Sequence, residues 1–217
     1  MATVPGQQRA FQPLPPLERP IVVRRATRLI VRTGTGRDTR IFLEHDSDPG
    51  ANVTWWMTPG GGLDGDESFA AAGVRELYEE TGWMVTAADL VGPVAHRIVT
   101  HGYSDEVLVQ QEQFFLIDLD APRPVDKSGF TAEEQITQLG EGWFTAADLA
   151  TINVYPADIA RFLSADADTF VEYGEQDESI VALDGRFVPG FVAQLFERHL
   201  PVAEHSSALP GTANRVK

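Results

Sequence analysis

The 217-residue chain contains no cysteine, which excludes disulfide bonds and every reaction that needs a thiol nucleophile. It also has no apolar run of membrane-spanning length, and its first residues lack the long apolar stretch of a signal peptide. Positive charge is in deficit, because the formal net charge is −15. A field of that sign repels nucleic acid polymers and anionic membranes, so we expect neither as a partner. Because no membrane-spanning run and no signal-type stretch is seen, we predict a cytoplasmic protein.

The composition is that of a folded chain. Apolar residues make up 43% and charged residues 23%, which is close to the average of globular domains. The length suffices for one domain with additional elements. We predict a mobile, proline-rich N-terminal arm over residues 1–20, a main domain over residues 21–163, and a C-terminal extension over residues 164–217 with a helix and a flexible tail. For the extension, a cap on the core, a wall of a pocket and a contact in a homodimer remain open.

Hydrophobic periodicity and β-branched runs predict the secondary structure. Strands are expected over residues 21–31, 41–43, 53–57, 90–100, 106–119 and 142–144, with polar loops over 45–52 and 120–140. Helices are expected over residues 68–81, 156–163 and 192–200, with a helical turn over 145–149. Asp66 or Glu67 is expected to cap the first helix, and Gly82 to end it. Strands and helices mixed in this order predict an α/β fold with a mixed sheet.

Three carboxylates are concentrated in the first predicted helix. Glu76, Glu79 and Glu80 are three and four residues apart, and this spacing places them on one helical face. Like charges so close repel each other unless a cation neutralises them, and hard divalent cations prefer oxygen ligands. The alternative is an ordinary solvated acidic face.

The surrounding segment, residues 61–83, resembles the Nudix box, which is the signature of the Nudix hydrolase superfamily. Its fixed positions are matched in register, and only Trp83 departs from the pattern, since an aliphatic residue is more usual there. A solvated acidic face does not account for glycines and an arginine at these offsets. The resemblance covers roughly residues 21–163 and implies an α/β/α sandwich in which the box forms loop, helix and loop. The matching residues are Gly61, Glu67, Arg75, Glu76, Leu77, Glu79, Glu80 and Gly82.

The resemblance also implies the metal site. The expected cofactor is Mg²⁺, with Mn²⁺ as the alternative ion, because Mg²⁺ takes a few carboxylates and keeps several waters. Arg75 is expected to pair with Glu67 and to orient a ligand carboxylate, whereas a surface pair with Glu79 is the plainer alternative. The expected ligands are Glu76, Glu79, Glu80 and the backbone carbonyl of Gly61.

The general base is left open between several glutamates. Glu112 lies on the apolar register of its strand, where an unpaired carboxylate is costly, and this marks it as a candidate. Glu134 and its neighbour Glu133 lie in the loop before Trp143, and Glu79 is the alternative within the box. An edge-strand charge or a solvated loop would explain the same residues without a catalytic role.

Candidate substrate contacts follow from residue type alone. Arg24, Arg25 and Arg97 are expected to bind phosphates, and Trp56 to stack on a nucleobase, although an aromatic residue is more often part of a core. We therefore predict a metal-dependent hydrolase that cleaves a nucleoside diphosphate linked to another moiety, a small-molecule substrate, through attack of water at phosphorus. The alternative is a catalytically inactive Nudix-fold sensor of a nucleotide or of ADP-ribose.

Overall fold

The computed structural model describes residues 9, 11–183, 185 and 191–199. Within these residues the chain forms eight strands and four α-helices. The strands are β1 (Ile21–Thr33), β2 (Arg40–Asp48), β3 (Val53–Met57), β4 (Val91–Gly102), β5 (Val107–Leu119), β6 (Gly140–Phe144), β7 (Val154–Tyr155) and β8 (Val171–Asp177). The helices are α1 (Phe69–Thr81), α2 (Glu134–Thr137), α3 (Ala146–Leu149) and α4 (Phe191–His199), and the 3₁₀ helices are Gly36–Asp38, Ala87–Asp89, Lys127–Gly129 and Ile159–Ser164.

The strands form one mixed sheet in the order β7-β3-β2-β1-β5-β4-β8, with β6 paired to β2. The parallel pair of β1 and β5 is its centre, because the two strands pair along their whole length from Ile21 opposite Val107 to Thr33 opposite Leu119. Strand β4 runs antiparallel to β5 and parallel to β8. The predicted α/β class with a mixed sheet is confirmed.

Both faces of the sheet are covered. Successive residues of a strand point to opposite faces, so Leu29 and Phe115 pack against Leu77 of α1 on one side. On the other side, Ile30 and Phe114 pack against the 3₁₀ helix Ile159–Ser164. The layers are therefore those of the α/β/α sandwich that the resemblance implied.

The predicted helix over residues 68–81 is confirmed as α1, but its cap is not the expected one. Ser68 is the N-cap, and its hydroxyl accepts a hydrogen bond from the backbone N–H of Ala71. The prediction of Asp66 or Glu67 as the cap was wrong, because the extended Ser68 is the residue whose side chain reaches the first free N–H groups. Gly82 ends the helix in the left-handed conformation, with φ of 71°.

Other elements also differ from the prediction, since α2 lies in the predicted loop 120–140 and β7 was not predicted. Strand β2 continues through the predicted loop 45–52 as far as Asp48, because residues 44–48 pair with β3. The predicted helix over residues 156–163 is the 3₁₀ helix Ile159–Ser164. Strand β8 was not predicted, because its polar sequence is typical of a sheet edge. The predicted last helix, 192–200, corresponds to α4, and Leu200 lies outside the described residues.

The N-terminal segment contacts the turn between β4 and β5. Arg9 Nη2 lies 2.6 Å from Asp105 Oδ1, and the backbone N–H of Leu14 donates to the carbonyl of Ser104 at 2.8 Å. Residues 1–8, 10 and 200–217 lie outside the described residues, so the division at residues 20 and 163 stays a prediction. Among the described helices, none is long and apolar enough to cross a membrane.

Candidate active site

The glycine loop at residues 60–62 lies directly against β1. The backbone N–H of Thr27 donates to the carbonyl of Gly61 at 2.9 Å. Gly60 has φ of 131°, which side chains other than hydrogen rarely permit, and a Cβ there would collide with the Thr27 carbonyl. A Cβ on Gly61 would lie 2.5 Å from Oε1 of Glu76. The loop therefore requires glycine at position 60, whereas a side chain at position 61 would displace the Glu76 carboxylate.

Glu80 is the most buried carboxylate of the box, with 7% of its surface exposed. Its Oε2 accepts a hydrogen bond from the backbone N–H of Gly60 at 2.9 Å. Burial, followed by the charges of Glu44 and Glu76, raises the pKa of Glu80 well above its usual range. Burial also raises the pKa of Glu76, although Arg75 opposes this. The carboxylates of α1 thus concentrate negative charge, and the cationic side chains around them compensate it only in part.

Arg75 connects the loop to the helix. Its Nη2 lies 2.6 Å from Glu67 Oε1 and 2.8 Å from the carbonyl of Gly62, and its Nη1 lies 2.9 Å from Glu76 Oε1 and 3.0 Å from Glu79 Oε2. Both predicted partners of Arg75, Glu67 and Glu79, are therefore in contact with it. The hydrogen bond from Arg75 is the main cause that lowers the pKa of Glu67.

The fit of these residues to a divalent cation depends on two observations. Across the described part of the chain, no three Asp, Glu or His side chains converge into a ready metal-binding group. Instead, the Arg75 guanidinium binds one oxygen of Glu76 and one of Glu79. Carboxylate oxygens are nevertheless the ligands that Mg²⁺ prefers. Among the described residues, Glu80 forms no ion pair and accepts a hydrogen bond from the Gly60 N–H, so the donor set and the local charge fit a hard cation.

A cleft of about 610 Å³ opens beside Glu80 and the glycine loop. Arginines of β1 form one wall, acids of β2 form another, and residues of the loop before β6 complete it. The lining residues are Arg9, Val22, Arg24, Arg28, Glu44, Asp46, Met57, Gly60, Gly61, Glu80, Tyr103, Glu106, Leu108, Thr131, Glu133, Glu134, Thr137 and Gln138.

Four of the predicted site residues line this cleft: Gly61, Glu80, Arg24 and Glu134. Arg24 is accessible to solvent in the cleft, and its Nε donates to Gln110 at 2.7 Å. Desolvation by the surrounding protein, followed by the charge of Arg28, lowers the pKa of Arg24. Glu134 accepts a hydrogen bond from the backbone N–H of Thr131 at 2.6 Å. Cationic and anionic groups thus face the same space.

Arg25 and Trp56 do not line the cleft. Arg25 follows Arg24 on β1 and therefore points to the opposite face of the sheet. Trp56 packs its ring against His45, with centroids 4.5 Å apart, and edge-on to Phe144 at 4.6 Å. It belongs to the border of the apolar core, which is the plainer of the two readings that its residue type allowed.

Glu112 and Arg97 lie behind the cleft wall. Glu112 is fully buried, and its two oxygens accept hydrogen bonds from Arg28 Nε at 2.9 Å and Arg97 Nε at 2.6 Å. Against the effect of burial, these two guanidinium groups lower the pKa of Glu112 to about 2. The structure does not bring Glu112 to the cleft, where a base has to reach the attacking water.

Sequence reasoning missed several cleft residues. Arg28 lines the cleft, although it is almost wholly buried. A signal was present, because arginines recur at every fourth position, 24, 28 and 32, and so share one face of the strand. Glu44 was missed, and Asp46 lay in the predicted loop. Burial, followed by the charge of Asp46, raises the pKa of Glu44 to about 8.

A carboxylate helix and a glycine loop packed on a mixed sheet define the class of this protein as an α/β/α sandwich with a candidate metal site. The sequence model of the NUDIX domain family matches residues 23–164. Because that match covers more than half of the chain, the protein belongs to the Nudix family.

Individual relatives show the same likeness. An RNA pyrophosphohydrolase of Acidiphilium cryptum (strain JF-5) is 40% identical over 75 residues, which cover 32% of this chain and 44% of that protein, less than half its length. A C. elegans Ap4A hydrolase in a binary complex is 20% identical, with a TM-score of 0.46, over 64% of this chain and 92% of that chain. A MutT NUDIX hydrolase from Burkholderia pseudomallei is 25% identical, with a TM-score of 0.43, over 66% of this chain and 98% of that chain.

Proposed function

We propose that this protein is a Mg²⁺-dependent hydrolase of the diphosphate linkage in a nucleoside diphosphate joined to another moiety. The observation that carries this proposal is the cleft itself, in which Glu80 of the box faces the same space as Arg24 and Arg28. A diphosphate held by a metal needs both kinds of group, carboxylates for the cation and arginines for the phosphate oxygens.

Glu76, Glu79 and Glu80 would hold the metal, together with the Gly61 carbonyl. When bound, the cation supplies neutralisation of the phosphate oxygens and a more acidic water. Arg75 orients the ligand carboxylates through its bonds to Glu76 and Glu79. This arrangement supports Mg²⁺, and Mn²⁺ is the alternative ion.

The remaining chemistry is divided among the residues of the cleft. Arg24 and Arg28 bind the phosphates, because both line the cleft and an anion between them offsets the desolvation and the repulsion by Arg28 that lower the pKa of Arg24. Glu134 takes the proton of the attacking water, since it lines the cleft whereas Glu112 does not. Glu79 is the alternative base within the box. Water attacks one phosphorus, and two phosphate-terminated products leave.

We propose a small molecule as the substrate. A cleft of about 610 Å³ has the volume of typical small-molecule sites, and the net charge of −15 opposes the approach of a polyanion. The curated relative named RNA pyrophosphohydrolase makes a 5′-triphosphorylated RNA the competing substrate. A cytoplasmic location and a homodimer remain predictions.

The test is phosphate release, after coupled phosphatase treatment, from a panel of substrates with and without Mg²⁺ or Mn²⁺. The panel contains nucleotide sugars, ADP-ribose, dinucleoside polyphosphates, oxidised nucleoside triphosphates and 5′-triphosphorylated RNA. Glu80→Gln is expected to lower turnover by about a hundredfold or more, because the substitution removes a ligand charge at the metal. Glu172→Gln, a surface change on β8, is the matched control and is expected to leave turnover unaltered.

Near wild-type turnover in Glu80→Gln would contradict the metal-ligand assignment. The absence of turnover across the whole panel, combined with tight binding of one nucleotide, would favour the alternative of a catalytically inactive nucleotide or ADP-ribose sensor. Cleavage of the RNA alone would contradict the proposed small-molecule substrate.

A further inference from the structure

A chain of buried charges crosses the sheet behind the cleft. Arg28 on β1 binds Glu112 on β5 at 2.9 Å, and Glu112 binds Arg97 on β4 at 2.6 Å. Arg97 in turn binds Glu178, which directly follows β8, at 2.5 Å. The side chains of all four residues are at most 10% exposed. The two cations and two anions therefore alternate and compensate one another without help from solvent.

The cleft end of this chain has a nitrogen available for an anion. Arg28 uses Nε for Glu112 and Nη1 for the carbonyl of Gly60, at 3.1 Å. Its Nη2 makes no hydrogen bond with any residue in the described ranges. Gln110 links the second arginine, Arg24, to Glu112. Its Oε1 accepts a hydrogen bond from Arg24 Nε at 2.7 Å, and its Nε2 donates one to Glu112 Oε1 at 3.1 Å. Glu112 thus fixes both arginines of the cleft wall.

The far end of this chain of charges, Glu178, lies outside the segment that the family model matches. Glu178 lies fourteen residues beyond position 164, where that match ends (178 − 164). Its backbone N–H donates to the carbonyl of Thr100 at 2.9 Å, and this bond holds the segment against β4. His101 lies 3.9 Å from the second carboxylate oxygen, but burial lowers the pKa of His101 to about 3, so the ring is neutral. Arg97 is therefore the charged partner of Glu178.

We propose that Glu178 is a positioning residue that sets the phosphate affinity of the cleft through Arg97, Glu112 and Arg28. Without the Glu178 charge, Arg97 has Glu112 as its remaining carboxylate partner. The Glu112 carboxylate is then drawn towards Arg97, and its bonds to Arg28 and Gln110 weaken. The arginines of the cleft lose their fixed orientation, on which bidentate phosphate binding depends. This inference rests on the proposed function for the identity of the phosphate ligand.

The test compares Glu178→Gln with the wild-type protein. Titration calorimetry with inorganic pyrophosphate, with and without Mg²⁺, measures binding independently of turnover, and steady-state kinetics give KM and kcat on the best substrate. We expect the pyrophosphate Kd and KM to rise about tenfold while kcat changes less than about twofold, because the lost contact serves binding. Glu172→Gln is the matched control on β8, since Glu172 pairs with His96 at the surface. It is expected to change neither constant.

A double-mutant cycle with Arg28→Gln separates positioning from general structure. If Glu178 acts through Arg28, the effect of Glu178→Gln on the pyrophosphate Kd disappears in the Arg28→Gln background. A lower melting temperature with unchanged Kd and KM would overturn the proposal, as would a full effect that persists in that background. If Glu178→Gln does not fold, the Arg28→Gln variant alone decides, and a wild-type pyrophosphate Kd for that variant would overturn the proposal.

The outcomes for the two proposals are distinct. A wild-type protein that binds pyrophosphate but hydrolyses nothing refutes the hydrolase, and the Kd comparison still decides the role of Glu178. A wild-type protein that hydrolyses its substrate, with a Kd that is the same in both proteins, refutes only the role of Glu178.

Discussion

Replacing Glu112 by glutamine removes the negative charge that lies between two buried guanidinium groups. The side chain of Glu112 is fully buried, and those of Arg28 and Arg97 are 6% and 3% exposed. Breaking a buried pair in this way costs about 3–5 kcal/mol, because it leaves uncompensated charge in the interior. The pKa gives a similar size, since a fall from 4.5 to about 2 at about 1.4 kcal/mol per unit is about 3 kcal/mol.

The assay is urea unfolding followed by tryptophan fluorescence, for which the chain supplies four tryptophans. Glu112→Gln is expected to lower the free energy of unfolding by about 3 kcal/mol at neutral pH. Glu141→Gln is the matched control, because Glu141 pairs with Lys127 where both side chains are partly exposed. That change is expected to cost less than about 1 kcal/mol.

The pH dependence supplies a second check. Because the pKa of Glu112 is lower in the folded protein than in the unfolded chain, its contribution is fully present above about pH 4.5 and is lost as the pH falls towards 2. The difference between wild type and Glu112→Gln is therefore expected to shrink across that range. Wild-type stability in Glu112→Gln, combined with a hundredfold or greater loss of turnover, would refute this reasoning and favour Glu112 as the general base.

Two further substitutions test the box itself. Ser68→Ala is expected to lower the free energy of unfolding by about 1 kcal/mol in urea, because α1 loses its N-cap; an unchanged value would contradict the cap. Gly61→Ala is expected to lower turnover by about tenfold or more at saturating Mg²⁺, because the added Cβ displaces the Glu76 carboxylate. Wild-type turnover and Mg²⁺ dependence in Gly61→Ala would contradict the close approach of Gly61 to Glu76.

The helix of the box was predictable because its determinants are local. Apolar residues at helical spacing fix the buried face of α1, and Gly82 ends the helix directly after Thr81. The contact of Arg75 with Glu67 follows from the same short segment, because the two positions are eight residues apart. The N-cap was mistaken by one or two residues, since Asp66 and Ser68 are both preferred capping types and lie two residues apart.

The partners of Glu112 were not predictable, because they lie on two neighbouring strands whose register the sequence does not give. The apolar register of β5 marked the carboxylate as inward-facing, and the structure places it fully inside. Arg28 lies 84 residues away in sequence and meets Glu112 through the parallel pairing of β1 and β5. The sequence alone does not distinguish a buried carboxylate held by two arginines from one that faces a cleft. The register between the strands makes that distinction.

The buried charges of this protein differ in how they are paired. Beside the cleft, Glu112 forms ion pairs with both Arg28 and Arg97, and Glu178 forms a second one with Arg97. Inside the cleft, no ion pair within the described residues joins Arg24 or Arg28 to Glu44, Asp46 or Glu80, although all five line the same space. The two arginines and the three acids each bring like charges close together, which costs free energy unless a ligand carries both signs. A divalent cation bound to a diphosphate is such a ligand, because its metal can pair with the acids and its oxygens with the arginines.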